Sequence, residues 1–313
     1  MEDNRRLSHF LRDTVGYREL ISSFTDIRKH PVIPLQNIIS TILFMPFFHL
    51  TSLLSLDRLN RKGAMKRLFA SKRKMIVSDT TVHRVLSWLS LSEAHQLLLN
   101  LKDLIHTKRL SRLHLSTNGT ARRIGIIDGS QMGKHWIAAA CLVGKVRYPF
   151  WAQPYEKYGK ELPAAYSILH DSYQALTPAL YPDLWCLDAL YFNKRSFDLV
   201  RGYDSHLLVK SQEPFRDVLR DAHALFSSSG NAVDTSLVSE GFDSDRWCSY
   251  WIEQTSGEFA GYPIQILHIS EYYPKRKRNA HSECWVVTTD LTLTPEEVRE
   301  AAHLRWQIEN NVF

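Results

Sequence analysis

The sequence predicts an α/β protein in which a helical, basic N-terminal domain at residues 1–120 precedes a mixed five-stranded sheet. Three observations lead to this fold class. Apolar residues recur at helical spacing through the N-terminal part, and short apolar runs bounded by polar residues follow from Arg122 onwards. The charge also changes sign, because residues 1–123 hold 21 Lys and Arg against 9 Asp and Glu, whereas residues 124–313 hold 18 against 24. A basic part followed by an acidic part indicates a polyanion-binding module joined to one that uses carboxylates.

The bulk composition excludes several classes of protein. With 44% hydrophobic and 23% charged residues, the chain of 313 residues is neither collagen-like nor disordered. Its four cysteines lack CxxC spacing, which argues against a zinc ribbon or a disulfide framework and favours a reducing compartment. The charged N-terminus MEDNRRLSHFLRDT lacks the apolar stretch of a signal peptide. We therefore expect a soluble, cytoplasmic protein.

One uncharged run, Ile38 to Leu56, is long enough to be considered as a membrane span. It contains Pro46, His49 and five Ser or Thr residues, and a strongly basic run follows it at once. Because proline interrupts a helix, the pattern favours a buried helix pair broken near Pro46, and no membrane association is expected.

A basic segment in the N-terminal domain is the first candidate for contact with nucleic acid. Between Arg58 and Lys74 the chain carries eight basic residues and no acidic one, interleaved with apolar residues. That pattern is typical of a helix with one buried face and one face that meets phosphates, although a solvated basic surface would look the same. The candidate DNA-binding residues of this segment are Arg61, Lys62, Lys66, Arg67, Lys72, Arg73 and Lys74.

The core is predicted in two parts separated by an insert. The first part, residues 121–226, has predicted strands at 124–128, 136–144, 146–153, 184–191 and 205–212, with helices at 161–176 and 193–202. Residues 227–290 form a β-rich insert, with the basic cluster Lys275, Arg276, Lys277 and Arg278 in a hairpin loop. The last part, residues 291–313, is a helix that starts at Thr294 as N-cap and Pro295 as first helical residue.

Three acidic residues occur where a carboxylate is costly for folding. Asp128 and Asp188 each follow an apolar strand, and Glu309 lies within the amphipathic last helix, four residues after Arg305. Carboxylates from neighbouring strands and a packed helix would form an all-oxygen site for Mg²⁺ or Mn²⁺. Simpler roles are also open: either aspartate could cap a turn, and Glu309 could pair with Arg305 at the surface.

The segments IIDGS, LWCLDALY and HLRWQIENNVF together resemble the DDE transposases of bacterial insertion sequences, in particular the insertion-sequence-four type. The resemblance covers roughly residues 78–313. It implies an RNase H-like core with the first Asp at the end of strand one, the second Asp at the end of strand four, and a β-rich insert after strand five. Asp128, Asp188 and Glu309 then match the catalytic, metal-binding triad, and Arg305 matches the signature arginine.

Two positions depart from the family signature. Ala302 stands where the signature has tyrosine, and the signature lysine would fall beyond Phe313. We therefore expect the chain to be truncated at its C-terminus, as a fragment or as the product of a disrupted element.

The function that the resemblance implies is DNA transposition. Two Mg²⁺ or Mn²⁺ ions would support cleavage of the DNA at the element ends and transfer of the freed 3′-hydroxyl to target DNA. The implied partners are double-stranded DNA and, in the DNA complex, a second copy of the chain, with the protein on the nucleoid when bound. Lys210, in the fifth strand, is a further candidate for phosphate contact. The alternatives are a metal-dependent nuclease of the same fold, an impaired remnant that only binds DNA, and an unrelated soluble α/β protein.

Overall fold

A computed structural model describes residues 21–22, 24–45, 52–61, 77–100, 113–115, 120–132, 134–143, 147–157, 159–176, 178, 180–214, 216–228 and 237–311. The chain divides into two compact units, residues 1–104 and 105–313. This division lies earlier in the chain than the boundary predicted at residue 120.

Four helices of the first unit lie entirely within the described residues, namely α1 (Leu35–Phe44), α2 (Leu53–Arg61), α3 (Asp79–Leu86) and α4 (Leu91–Asn100). The prediction that the uncharged run is broken near Pro46 is confirmed, because α1 ends before that proline and α2 begins after it. Ile38 and Leu56, one from each helix, are fully buried in the same apolar cluster. Among the described residues, no helix is long and apolar enough to cross a membrane.

Side-chain caps explain where α3 and α4 begin. The Ser78 hydroxyl accepts a hydrogen bond of 3.2 Å from the backbone N–H of Thr81 at the start of α3. At α4, the Ser90 hydroxyl accepts from the backbone N–H of Glu93, and the Glu93 carboxylate accepts from the backbone N–H of Ser90. This reciprocal capping box satisfies two donors that the first helical turn leaves unpaired.

The second unit is built on one large mixed sheet. Among the described residues, it has nine strands: β3 (Ile124–Met132), β4 (His135–Val143), β5 (Arg147–Tyr155), β6 (Leu184–Asp188), β7 (His206–Ser211), β8 (Leu237–Asp243), β9 (Cys248–Phe259), β10 (Tyr262–Tyr272) and β11 (His281–Thr288). Two short strands, β1 (Leu113–Leu115) and β2 (Thr120–Arg122), form a separate pair. The strands of the large sheet follow the spatial order β5-β4-β3-β6-β7-β11-β10-β9-β8. Strand β3 pairs in parallel with β6, and β6 with β7, whereas all other neighbours are antiparallel.

The five strands predicted for the core are all present, but the sheet is larger than predicted. Strand β11 pairs with β7, so the strands of residues 227–290 extend the same sheet to nine strands. Val287 lies opposite Val209 in this pairing, and both side chains are buried. The β-rich insert is therefore continuous with the core sheet, because apolar residues of β11 can pair with and cover the edge that β7 would otherwise expose.

Within the described ranges of this unit, four helices pack on the sheet or connect its strands, namely α5 (Glu161–Ala175), α6 (Lys194–Gly202), α7 (Asp217–Ser228) and α8 (Pro295–Asn311). The predicted start of α8 is confirmed, since the Thr294 hydroxyl accepts from the backbone N–H of Glu297 at 3.3 Å. Val298, Ala301 and Ala302 of α8 are buried in one cluster with strand residues of the sheet. The alanine at the position of the signature tyrosine therefore faces the core.

A close approach between β3 and the start of β6 explains Gly125. A Cβ at this position would lie 2.6 Å from Pro182 Cγ and 2.7 Å from the Trp185 ring. We expect Gly125→Ala to lower the free energy of unfolding by about 1–3 kcal/mol, because the buried ring must move. The matched control is Gly202→Ala, where nothing lies within 4 Å. Urea unfolding measures both, and equal midpoints for the two variants would contradict the packing argument.

Candidate active site

Asp128 lies within β3 rather than at its end. The strand continues to Met132, and Asp128 faces Ala139 of β4 in the antiparallel register. The predicted strand end at residue 128 is therefore wrong, and Asp128 does not begin a turn because the next four residues continue the strand. The parallel pairing of β3 with β6 stops at Ile126 and Cys186. Asp128 thus lies where β3 separates from β6, with its side chain 14% exposed.

Asp188 is the last residue of β6, which confirms that an acid ends this strand, although the strand was predicted to run on to residue 191. It caps the short 3₁₀ turn Ala189–Tyr191, and its Oδ1 accepts a hydrogen bond of 2.9 Å from the backbone N–H of Leu190. Asp128 and Asp188 each lie two residues beyond the last paired residue of β3 and β6. The two carboxylates therefore come from neighbouring parallel strands at the same end of the sheet.

Arg305 brings a positive charge from α8 to this end of the sheet. Its Nη1 lies 3.9 Å from Oδ1 of Asp128, and its side chain is 13% exposed.

Glu309 follows one turn later in α8, and its side chain lies outside the part of the chain that the structure describes. The third member of the predicted triad therefore stays a prediction. Within the described ranges, no group of three or more His, Cys, Asp or Glu side chains is arranged to hold a metal ion.

Glu161, at the start of α5, is a further acidic side chain close enough to feel the charges of Asp188 and Arg305, and the sequence patterns did not indicate it. Its Oε1 accepts a hydrogen bond of 2.6 Å from the hydroxyl of Tyr191. Burial raises the pKa of Glu161; the Tyr191 hydrogen bond lowers it, the Asp188 charge raises it, and the Arg305 charge lowers it. An acid in the first turn of a helix is common because it complements the helix dipole. For that reason its sequence position gave no signal of a role in the site.

Two tyrosines surround these carboxylates. Tyr191 is fully buried, and burial raises its pKa well above the usual value, with the Glu161, Asp188 and Asp128 charges adding to the effect. Burial also raises the pKa of Tyr155, and the charges of Glu161 and Asp128 raise it further. Both side chains therefore stay protonated near neutral pH and can donate hydrogen bonds to carboxylates.

A buried ion-pair network anchors α8, which carries Arg305, to the strands of the insert. Glu271 of β10 accepts from Arg299 Nε at 2.8 Å, from His303 Nε2 at 2.7 Å and from the Tyr273 hydroxyl at 2.7 Å. Arg299 also donates to Asp243 of β8 at 3.1 Å. Arg299 and His303 lie one turn apart on α8, so this network fixes both the rotation and the axial position of the helix.

The predicted DNA-binding residues lie in different environments. Lys210 lies opposite Asp188 in the backbone pairing of β7 with β6. Its side chain is only 6% exposed, and burial lowers its pKa. Contact of Lys210 with phosphate stays a prediction. In the first unit, Arg61 is exposed and bonds to Asp57 at 2.7 Å. Lys62, Lys66, Arg67, Lys72, Arg73 and Lys74 lie outside the described residues.

The basic loop of the insert is exposed and lies against aromatic rings. The Lys275 ammonium group is 3.1 Å from the centre of the Trp247 ring, and the Arg276 guanidinium is 3.6 Å from that of Tyr273. Such contacts hold cationic side chains in place at a surface. Lys277 and Arg278 of the same loop are also exposed.

Comparison of the chain with protein-family models gave no match, and comparison with curated proteins gave none. The function is therefore inferred from the geometry of the site and from the motifs of the sequence.

Proposed function

We propose that this chain is a DDE-type transposase with an RNase H-like core, which binds the ends of an insertion sequence and cleaves and joins DNA. The order of the strands supports this proposal. Asp128 lies on the first strand of the core sheet, Asp188 ends the fourth, and the β-rich segment follows the fifth. This is the order that the sequence resemblance implies. A helical, basic N-terminal domain would contribute contacts with the element ends.

The observation that carries the proposal is the position of Asp128 and Asp188 on neighbouring parallel strands, with Arg305 beside Asp128. Their carboxylate oxygens are the donors that Mg²⁺ and Mn²⁺ prefer. A bound cation would relieve the repulsion between the carboxylates of Asp128 and Asp188. Asp128 and Asp188 would hold such ions, joined by Glu309 of α8.

Bound divalent ions would activate the attacking water or 3′-hydroxyl and would stabilise the negative charge on the leaving oxygen. The side chains of the protein have separate tasks. Arg305, held beside Asp128, is in reach of a phosphate that approaches this aspartate and can neutralise part of its charge. The exposed cations of residues 275–278 would attract the DNA backbone to the same unit. Pairing two element ends would bring a second copy of the chain into the complex.

Strand joining is the reaction that separates a transposase from its alternatives. The DNA that flanks the encoding gene supplies the element ends, which are offered as a pre-cleaved, labelled duplex with a supercoiled target plasmid and Mn²⁺ or Mg²⁺. We expect the label to become joined to the plasmid. Plasmid nicking without joining would favour a metal-dependent nuclease, and tight DNA binding without either reaction would favour a DNA-binding remnant.

A further inference from the structure

We propose that Glu161 is a positioning residue that fixes the spacing between Asp128 and Asp188. It connects the backbone that follows the first aspartate with the turn that follows the second. The inference rests on the proposed function, since it assigns Glu161 a task in that same site.

The first contact joins Glu161 to the turn after Asp188. Tyr191 is fully buried and ends the 3₁₀ turn, and its hydroxyl donates to Glu161 Oε1 at 2.6 Å. The same turn supplies the backbone N–H of Leu190 that bonds to Oδ1 of Asp188 at 2.9 Å. The orientation of Asp188 therefore depends on a turn that Glu161 holds through Tyr191. Hydrogen-bonded partners of this kind commonly orient the carboxylates of a metal site.

The second contact joins Glu161 to the backbone after Asp128. A Cβ on Gly129 would lie 2.4 Å from Oε2 of Glu161 and 2.7 Å from the hydroxyl of Tyr155. Any larger residue at 129 would displace these side chains. Glycine at this position therefore leaves the space in which the Glu161 carboxylate lies directly against β3.

A simple helix-dipole role does not account for these contacts. An acid that only complements the dipole can remain in solvent at the start of the helix. Glu161 instead points inward, with one oxygen on a buried phenol and the other against the backbone of Gly129. Each contact lies next to an aspartate of the proposed site. The contact with Gly129 directly follows Asp128, and the contact with Tyr191 lies in the turn 189–191 that follows Asp188.

Four variants separate positioning from direct participation. Glu161→Gln keeps the size of the side chain and an oxygen that can accept from Tyr191, whereas Glu161→Ala and Tyr191→Phe remove the hydrogen bond. Gly129→Ala displaces the carboxylate. The matched control is Tyr181→Phe, because Tyr181 is a buried tyrosine whose hydroxyl donates to the backbone carbonyl of Leu169 in α5 at 3.3 Å rather than to Glu161.

Two readouts are taken on the full chain. The first is amide hydrogen exchange in residues 184–193, where the backbone N–H groups of Leu190, Phe192 and Asn193 are bonded within the turn. The second is the Mn²⁺ concentration that gives half-maximal plasmid nicking. We expect Glu161→Ala, Tyr191→Phe and Gly129→Ala to speed exchange in the turn and to raise the Mn²⁺ requirement about tenfold or more. Glu161→Gln and the control should stay within about threefold of the wild type in both measurements.

The outcomes are distinct. Wild-type exchange and Mn²⁺ requirement in Glu161→Ala would overturn the inference and leave the proposed function standing. Equal losses in Glu161→Gln and Glu161→Ala would also overturn it, because the charge itself would then be needed. An inactive wild-type protein would reject the proposed function, and the exchange measurement would still decide whether Glu161 holds the turn.

Discussion

Replacement of Asp188 by asparagine should lower metal-dependent plasmid nicking by about a thousandfold, which corresponds to the loss of several kcal/mol of transition-state stabilisation. The fold should survive, because the asparagine amide oxygen can still accept the hydrogen bond from the backbone N–H of Leu190. The substitution therefore removes the charge of the proposed ligand while the cap of the turn remains. Asp128→Asn should have an effect of similar size, since the proposed site uses both carboxylates.

Asp198→Asn is the matched control for this prediction. It makes the same chemical change at a carboxylate on α6 that pairs with Lys194 at the surface. The rate of nicking of a supercoiled plasmid is measured with Mg²⁺ and with Mn²⁺, and circular dichroism follows thermal unfolding of each variant. Nicking by Asp188→Asn at the rate of Asp198→Asn would remove Asp188 from the proposed mechanism.

The parts of the site that could be predicted from the sequence are those with a local pattern. Apolar runs that end near an acid predicted β3 and β6, and these strands are neighbours. The start of α8 was predicted from Thr294 and Pro295 because capping depends on a few adjacent residues. The run of β3 beyond Asp128 was missed because Gly129, Ser130 and Gln131 give no strand signal in the sequence.

Other parts of the site depend on contacts between residues far apart in the chain. Glu161 looked like an ordinary first-turn acid, and only its contacts with Tyr191 and Gly129 bring it to the aspartates. The buried position of Lys210 follows from the pairing of β7 with both β6 and β11, which a strand pattern alone does not specify. Sheet order and burial are set by tertiary packing, so single-sequence periodicity could not supply them.

The network that anchors α8 gives the largest expected effect on stability. Glu271→Gln should lower the free energy of unfolding at neutral pH by about 3 kcal/mol, because it leaves the buried charge of Arg299 without its closest partner. Glu271 is 4% exposed, and Arg299 Nη2 lies 2.6 Å from its Oε1. Loss of this pair should also loosen α8 and move Arg305 from Asp128, so nicking should fall together with stability.

Glu253→Gln is the matched control, since Glu253 forms a pair with His268 at 2.8 Å on the same hairpin but is 27% exposed. Glu253→Gln should lower the free energy of unfolding by less than about 1 kcal/mol.

The pH dependence of stability tests the same role of Glu271 in a second way. Burial alone would raise the pKa of Glu271, but hydrogen bonds from His303 and Tyr273 and the charge of Arg299 outweigh it, and the pKa falls to about 2 from a usual value of 4.5. Because the folded state holds the ionised form, its contribution to stability is complete above the unfolded pKa and is lost as the pH falls towards 2. The difference in unfolding free energy between the wild type and Glu271→Gln, measured by urea unfolding at several pH values, should therefore narrow from pH 4.5 downwards. A difference that stays constant over this range would mean that the carboxylate charge of Glu271 does not hold α8 against the sheet.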